Sequence, residues 1–503
     1  MPSLLELTAD ELISRGIAPV KKEFIMPFNA RKQVEAVTSS ATAAETSTVS
    51  AKKKSKGQIK RERSESSKAE LCTNFALGRC SYGASCRFSH DTAAYLASKL
   101  PDLPGSCPFT LQEACPYGVT CRSYLAPLTT VGNLPFRRLC VGLGCEVTCG
   151  EMALATNLLQ GQASEWALLK RHPCEKLFGV QVCGGYPDAM SHLAQLLEEN
   201  ISTDFVDINC GCPIDIICER GAGSALLTRP KRLEQVVRAT TACIHKPVIV
   251  KIRKGYYDNA DIAHNIIPHM RDWGAAAVTL HGRSRQQRYS RAADWEYIRR
   301  CADTAAEAGL PLVGNGDVFS YSEWAARLAT PGVATAMIGR AALIKPWIFT
   351  EITEQRLWDI SAAERLELLK SFASHGLEHW GSDSRGVEAT RRFLLEWLSF
   401  THRYIPVGLL EVTPQLMQWR PPAYRGRNEL ETLLASESAA DWVRISEMLL
   451  GPAPPGFTFA PKHKSNAYAV SADAVAQVAG AAAGTEAAAN AAGDAGDDEQ
   501  ENG

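Results

Sequence analysis

Two closely spaced thiols lie in the stretch VDINCGCPIDIICERGAGSALL, residues 206–227, where Cys210 and Cys212 are two residues apart and Pro213 follows. Such a pair can be part of a metal site, half of a disulfide, core packing, or an acid in an active site. A free thiol has a pKa of about 8.5, so at neutral pH it is mostly protonated and can donate a proton. A metal pair would need further ligands at a suitable spacing, which makes a metal site the less favoured interpretation.

A second group of chemically active residues has the spacing of zinc ligands. In CTNFALGRCSYGASCRFSH, seven, five and three residues separate Cys72, Cys80, Cys86 and His90. Three thiolates and an imidazole form the closed tetrahedral site of structural zinc, and in so short a segment the metal supplies most of the folding energy. We therefore expect a zinc-bound domain over residues 69–91, which resembles the CCCH zinc fingers, many of which bind single-stranded RNA.

A second, incomplete copy of this pattern follows over residues 105–122. Cys107, Cys115 and Cys121 repeat the spacing of the three thiols, but Leu125 stands near the place where the histidine is expected. A distant group or water could complete the site, the site could be degenerate, or the sequence could lack a segment here. Only two residues separate Cys121 from the next β-prone run, and zinc binding at this second site stays open.

Eight short β-prone runs follow from residue 124 onward, and a helical stretch comes after each of them. This pattern predicts the fold that positions the residues described above. Alternating strands and helices predict a parallel sheet, and eight such units in this length predict a TIM (β/α)8 barrel over residues 123–350. A doubly wound sheet is the alternative, but no strand leads into GxGxxG. The runs span 124–129, 145–151, 177–185, 205–213, 246–255, 275–283, 311–318 and 335–343.

Polar residues cluster at the carboxyl ends of these runs, where a barrel of this kind carries its chemistry. Gln181, Asn209, Lys251, His281 and Arg340 each stand near such an end. Lysine and arginine side chains turned into a barrel mouth are costly unless an anion meets them. The glycine-rich ends at 315–317 and 339–340 are typical of a phosphate site.

The remaining segments differ in character. Apolar spacing of three and four with caps such as Ser361 predicts a helical domain over residues 355–452. Residues 1–68 are expected to be mostly disordered with a basic arm at 51–63, and the Ala/Gly/acid-rich tail at 465–503 is expected to be disordered as well.

Composition gives a broad class for the chain. It is 45% hydrophobic with a net charge of −1, as in ordinary soluble globular proteins. We expect no membrane span and no signal peptide, hence an intracellular location, cytoplasmic, nuclear or both, where thiols stay reduced. The sequence carries no signal for the oligomeric state, and a monomer is the default expectation.

The motifs APLTTVGNLPFRRLC, VDINCGCP, VKIRKG, LHGRSR, GNGDV and IGRAAL resemble those of the tRNA-dihydrouridine synthase family over about residues 122–455. The fingers and GIAPVKKEFI resemble the eukaryotic branch that acts on a variable-loop uridine, position 47 in the standard tRNA count. The resemblance implies flavin-dependent reduction of that uridine to 5,6-dihydrouridine. It also implies FMN, NADPH (or NADH) as the reductant, and a helical domain that binds tRNA.

The resemblance also implies roles for individual residues. Cys212, in the N-x-G-C-P motif, corresponds to the proton donor, which leaves Cys210 as packing. Asn209, Arg253 and Arg283 are expected to contact the substrate. The expected FMN contacts are Pro127, Leu128, Thr129, Gln181, Lys251, His281, Asn315, Gly316, Asp317, Gly339 and Arg340.

Within this set, Lys251 would lie near N1 and O2 of the flavin, where it would stabilise negative charge on the reduced ring. Gln181 would hydrogen-bond to the ring. The segments 315–317 and 339–340 would hold the phosphate end of the cofactor. Two alternatives stay open. One is a flavin oxidoreductase acting on a free pyrimidine, and the other is an RNA-binding CCCH protein whose barrel is not catalytic.

Overall fold

The computed structural model describes residues 4–26, 85–86, 89–91 and 123–462. Nine parallel strands form its sheet, rich in the Val, Ile and Ala residues that pack well on a pleated surface. The strands are β1 (Tyr124–Leu125), β2 (Val147–Cys149), β3 (Ala153–Leu154), β4 (Leu177–Cys183), β5 (Phe205–Cys210), β6 (Val248–Arg253), β7 (Ala277–His281), β8 (Leu312–Asn315) and β9 (Val333–Ile338).

The sheet closes into a barrel. Strand β1 pairs with both β2 and β9, and β2 pairs with β4, so that eight strands form a complete ring. The predicted TIM barrel is therefore confirmed, with one strand in each of the eight β-prone runs. The short β3, which the sequence did not predict, adds to β4 outside the ring.

Helices surround the ring and alternate with its strands. Their apolar faces pack on the outer faces of the strands in one continuous hydrophobic core. In chain order they are α2 (Leu134–Gly142), α3 (Ala155–Leu159), α4 (Ala163–Leu168), α5 (Pro187–Asn200), α6 (Asp215–Glu219), α7 (Pro230–Thr241), α8 (Ala263–Met270), α9 (Trp295–Glu307), α10 (Tyr321–Leu328), α11 (Arg340–Ile344) and α12 (Ile348–Glu354), with a 3-10 turn at Gly223–Thr228.

Register between neighbouring strands brings polar residues of different strands to the same level inside the barrel. Gln181 of β4 aligns with Asp207 of β5, and Asn209 of β5 aligns with Lys251 of β6. Arg253 of β6 then aligns with His281 of β7. Because side chains alternate along a strand, these three pairs share one face of the sheet at successive levels toward the carboxyl ends of the strands.

The helical domain after the barrel begins as the sequence predicts. Ser361 and Glu364 form a capping box, in which each side chain accepts from the backbone N–H of the other residue. The domain docks on the barrel through Trp397, whose indole N–H donates to the Leu343 carbonyl at 2.9 Å. Its helices are α13 (Ala362–Trp380), α14 (Ser384–Thr401), α15 (Glu429–Leu434) and α16 (Ala439–Leu450), with a 3-10 turn at Val407–Leu409.

Residues 4–26 differ from the expectation of disorder for most of residues 1–68. They form helix α1 (Ala9–Ser14), capped by Thr8, and a 3-10 turn at Lys22–Phe24. Ala18, Val20 and Ile25 bury their side chains against residues 405–424 of the helical domain. This apolar burial gives the segment a tertiary partner, which local composition does not reveal.

Several predicted segments lie outside the described residues: the basic arm at 51–63, Cys72 and Cys80 of the first finger, the whole second finger at 105–122, and the tail at 465–503. In the described part of the chain, no helix is long and apolar enough to cross a membrane.

A buried ion pair fastens α2 to the start of β4. The Arg137 guanidinium donates to both carboxylate oxygens of Glu175, at 2.7 and 3.2 Å, and both side chains are almost fully buried. The Thr148 hydroxyl donates to the same carboxylate at 2.8 Å, and Arg137 also donates to the Lys170 carbonyl at 2.7 Å. Such a pair holds its geometry because every charged atom has partners.

Replacing Arg137 with methionine should lower the free energy of unfolding by about 3–5 kcal/mol, because the Glu175 charge would stay buried without its partner. Urea unfolding followed by tryptophan fluorescence would measure the change. Arg238→Met is the matched control, since Arg238 pairs with Glu234 on an exposed helix face and should cost about 0.5 kcal/mol or less. Equal losses in the two variants would contradict the assigned role.

Candidate functional site

A cavity at the carboxyl ends of the strands contains most of the predicted cofactor contacts. About 680 Å³ of space there is free of protein atoms, part of it open to solvent. Leu128, Thr129, Lys251, His281, Asn315, Gly316, Asp317, Gly339 and Arg340 line it. Of the predicted set, Pro127 and Gln181 are buried beside this lining without belonging to it.

The charged groups at one side of the cavity are held by a single carboxylate. Asp317 accepts from Arg340 at 2.8 Å through one oxygen, and from Arg283 at 2.6 Å and the Ala293 N–H at 2.7 Å through the other. Its backbone has a φ of 44°, a left-handed conformation that turns the chain directly after Gly316. The carboxylate of Asp317 therefore positions Arg340 at the cavity wall.

Tyr289 lies at the centre of this cationic group. The guanidinium of Arg340 lies 4.1 Å from the centre of its ring and that of Arg283 5.2 Å, both within the range of cation–π attraction. The phenol oxygen of Tyr289 accepts from Arg253 at 3.2 Å. An aromatic ring among guanidinium groups lowers the cost of holding like charges together.

Arg253 and Arg283, predicted as substrate contacts, do not line the cavity. Arg253 donates to the Gly211 carbonyl at 2.6 Å and the Ser284 carbonyl at 3.1 Å, and it is almost fully buried. Arg283 is fully buried and donates to the Arg291 carbonyl as well as to Asp317. Both side chains thus donate to groups of the protein itself, to backbone carbonyls and to Tyr289 or Asp317. Their contact with the substrate stays a prediction.

Burial changes the titration of the groups that do face the cavity. Desolvation, with help from the Arg253 charge, lowers the pKa of Lys251 to about 8, while Asp207 acts in the opposite direction. Desolvation and the surrounding cations hold the pKa of His281 well below its usual value. At neutral pH the lysine is therefore mostly charged and the imidazole is neutral.

Cys212 does not line the cavity; with 2% of its surface exposed, it packs in a small apolar cluster with Cys183, Ile217 and Ala222, near enough to Lys251 for that charge to affect its titration. Desolvation is the main cause that raises its thiol pKa, so the group stays protonated at neutral pH. Gly223 approaches it closely, since a Cβ on that glycine would lie 2.9 Å from the Cys212 carbonyl oxygen. Cys210, in contrast, is fully buried in the hydrophobic core around the barrel, which agrees with packing.

Two amides connect the loop of Cys212 to the barrel interior. The Asn209 side-chain carbonyl accepts from the backbone N–H of Cys212 at 2.8 Å and of Gly211 at 3.0 Å. The Asn209 amide donates to the Gln181 carbonyl oxygen at 2.9 Å, and the Gln181 amide donates to Asp207, also at 2.9 Å. Both predicted residues are thus close to Cys212, and each has its ends engaged within the protein.

The residues around the cavity fit FMN. Lys251 and Arg340 offer positive charge, whereas Ala126, Leu128 and Met337 offer an apolar wall. Gly339 leaves room beside that wall, since a Cβ there would lie 3.7 Å from the Ala126 methyl group.

Three of the lining residues that the sequence analysis did not name lie outside the predicted strand ends. Tyr289 comes from the loop after β7, and Phe400 and Met417 come from the helical domain. No periodic pattern singles out a loop tyrosine, and contacts made by a separate domain depend on docking. The domain therefore covers part of the site as well as following it in the chain.

The zinc ligands are only partly described. Cys86 and His90 belong to the described residues, whereas Cys72 and Cys80 do not. Among the described residues, no group of three or more potential ligands is assembled for a metal. The four-ligand site stays a prediction.

Comparison with known proteins adds independent findings. A family model described as dihydrouridine synthase (Dus) matches residues 124–398, and one described as the DUS3L CCCH zinc finger domain matches residues 68–98. The chain is 39% identical over 656 residues to a tRNA-dihydrouridine(47) synthase-like protein of Arabidopsis thaliana, covering 93% of this chain and 95% of that protein.

Two other relatives bear similar names. The chain is 62% identical over 346 residues to one from Oryza sativa subsp. japonica and 60% identical over 345 residues to one from Homo sapiens. Each match covers 69% of this chain, and the chain spans about half the length of these relatives, 50% and 53%. The Arabidopsis alignment is longer than this chain, so that relative contains internal stretches that this chain lacks.

Binding of FMN should weaken as the pH rises through about 8, because Lys251 loses its charge there. If bound FMN raises the pKa of Lys251 by about one unit, the affinity for FMN falls about tenfold as the pH rises through that pKa range. Calorimetric titration with FMN between about pH 7 and 9.5 would follow this change. Lys251→Met should remove the pH dependence of FMN affinity. Lys246→Met is the control and should keep it, since Lys246 pairs with Glu198 elsewhere in the barrel. An unchanged pH profile in Lys251→Met would refute the role assigned to Lys251.

Proposed function

We propose that this chain, which belongs to the dihydrouridine synthase family, reduces a uridine in tRNA to 5,6-dihydrouridine. The observation that carries the proposal is a protonated, nearly buried thiol, Cys212, fixed by Asn209 beside a cavity that presents Lys251. The target would be the variable-loop uridine at position 47, since the relatives' names specify that position.

The reaction adds a hydride to C6 and a proton to C5 of the uracil ring. Bound FMN, reduced by NADPH or NADH, would supply the hydride. Cys212 donates the proton from its thiol, as a positioned general acid does. The thiolate that remains is stabilised by the positive charges of Arg253 and Lys251, both of which act on its titration, until solvent returns the proton.

Lys251 and Arg340 would hold the cofactor by charge. Lys251 would stabilise negative charge on the reduced ring, which is one way in which a protein tunes the electronics of a flavin. Arg340, fixed by Asp317, would meet the phosphate. His281 is neutral and so can only donate or accept a hydrogen bond there.

A uridine can reach this site only when it leaves the base stack, because its C5–C6 bond is covered in a stack. The helical domain would grip the tRNA backbone. Arg385 and Arg392 are exposed on α14 and could meet phosphates. Arg391 of the same helix is buried and donates to Ser446 and the Gly451 carbonyl, so it is structural. We also propose that the protein lies in the cytoplasm, the nucleus or both, where a tRNA substrate would be available.

Cys212→Ala should reduce dihydrouridine formation by about a hundredfold or more, because the proton at C5 loses its donor. Nucleoside mass spectrometry of unmodified tRNA incubated with FMN-loaded protein and NADPH would measure it. Cys210→Ala, which removes a thiol of the hydrophobic core, should keep the wild-type rate.

Other outcomes would separate this proposal from its alternatives. Reduction of free uracil or uridine without tRNA would favour a free-pyrimidine oxidoreductase. A purified protein that binds tRNA but no FMN would favour an RNA-binding protein with a non-catalytic barrel.

We also propose that Cys72, Cys80, Cys86 and His90 bind one structural zinc, supported by the finger model that matches this segment. His90→Ala should remove the metal and weaken tRNA binding while FMN affinity stays unchanged. Metal analysis and tRNA titration would test this. Two zinc ions per chain would assign a second site to Cys107, Cys115 and Cys121, and an unchanged zinc content in His90→Ala would reject the ligand.

A further inference from the structure

Asp207 is a buried carboxyl group that the proposed chemistry does not use. It lies on β5, two residues before Asn209, and none of its surface is exposed. One oxygen accepts from the Gln181 amide at 2.9 Å, and the other has no hydrogen-bond partner in the described part of the chain. A buried carboxyl with a free oxygen is costly, so its retention calls for a physical reason.

The hydrogen bonds from Asp207 to Cys212 run in one direction. Asp207 accepts from Gln181, the Gln181 carbonyl accepts from Asn209, and the Asn209 carbonyl accepts from the backbone N–H of Cys212. Each amide receives at one end and donates at the other. The loop of the proposed proton donor is thereby connected to the barrel interior through two side chains.

The two ends of this row of hydrogen bonds fix the orientation of both side-chain amides in the same sense. At the upper end two backbone N–H groups, from Gly211 and Cys212, point at one atom of Asn209, which must therefore be its oxygen. At the lower end an acceptor carboxylate faces Gln181, so the atom of Gln181 that meets it must be its nitrogen. Without that acceptor, a buried N–H of Gln181 would lack a partner, and turning Gln181 would set its nitrogen against that of Asn209.

We propose that Asp207 is a positioning residue, whose buried carboxylate is the terminal acceptor that sets the orientation of Gln181 and Asn209 and through them the backbone of Cys212. It does not belong to the residues that line the cavity. Its negative charge also faces Lys251, whose titration it affects, so charge and hydrogen bonding have to be separated by experiment. The inference rests on the proposed function for the reaction that is measured.

The test compares two replacements that both remove the charge. Asp207→Asn keeps an acceptor for Gln181, whereas Asp207→Leu has none. With saturating FMN and NADPH, Asp207→Leu should lower kcat for dihydrouridine formation about tenfold or more, because a small displacement of the donor has a large effect on rate. KM for tRNA should stay the same, and Asp207→Asn should keep kcat within about threefold of the wild type.

Thr279→Val is the matched control for damage to the barrel interior. Thr279 aligns with Lys251 on the next strand, is fully buried, and its hydroxyl also has no hydrogen-bond partner in the described residues. It should keep the wild-type kcat. If Asp207→Leu does not fold, Asp207→Thr and Asp207→Val, which have the same shape and differ in one acceptor, make the same comparison.

The results separate the possible failures. A wild-type kcat in Asp207→Leu would overturn the positioning role. An equal loss of kcat in Asp207→Asn and Asp207→Leu would also overturn it, because the effect would then come from the lost charge. If the wild-type protein forms no dihydrouridine, the proposed function fails instead. In that case the rate at which iodoacetamide alkylates Cys212, which should change in Asp207→Leu and not in Asp207→Asn, still tests the position of the thiol.

Discussion

Four permanently or mostly charged cations, Lys251, Arg253, Arg283 and Arg340, gather at one end of a closed barrel, and their desolvation and mutual repulsion must be compensated by the surrounding structure. The compensation has three forms. Asp317 neutralises two of the guanidinium groups, Tyr289 offers its ring to three of them, and backbone carbonyls accept from the buried pair. What remains uncompensated is a positive cavity, which suits an anionic cofactor and an RNA substrate.

The same low-dielectric environment has opposite effects on acids and bases, and both effects serve the proposed reaction. Burial keeps the Cys212 thiol protonated, as a proton donor requires, and keeps the His281 imidazole neutral. It lowers the pKa of Lys251 to about 8, where the charge is still present at neutral pH. It raises the pKa of Asp207 to about 7, so this carboxyl depends on its amide donor and on Lys251 to stay ionised.

The two domains share the cavity. Phe400 and Met417 of the helical domain form part of its lining, while Trp397 fixes that domain to the Leu343 carbonyl of the barrel. Residues 4–26 pack on residues 405–424 of the helical domain, the segment that includes Met417 of the lining. This segment therefore joins the packing of residues 4–26 to the wall of the cavity.

The sequence alone determined the barrel, its eight strands and the residues at their carboxyl ends, because strand periodicity and βα alternation are local patterns. It also identified Cys212 and the spacing of the zinc ligands. Only the tertiary structure decided that Arg253 and Arg283 face the backbone while Lys251 faces the cavity, and that Asp317 holds Arg340. Alternation along a strand tells which face a residue takes, but the partner of a buried charge depends on neighbouring strands and on loops, which lie far apart in the chain.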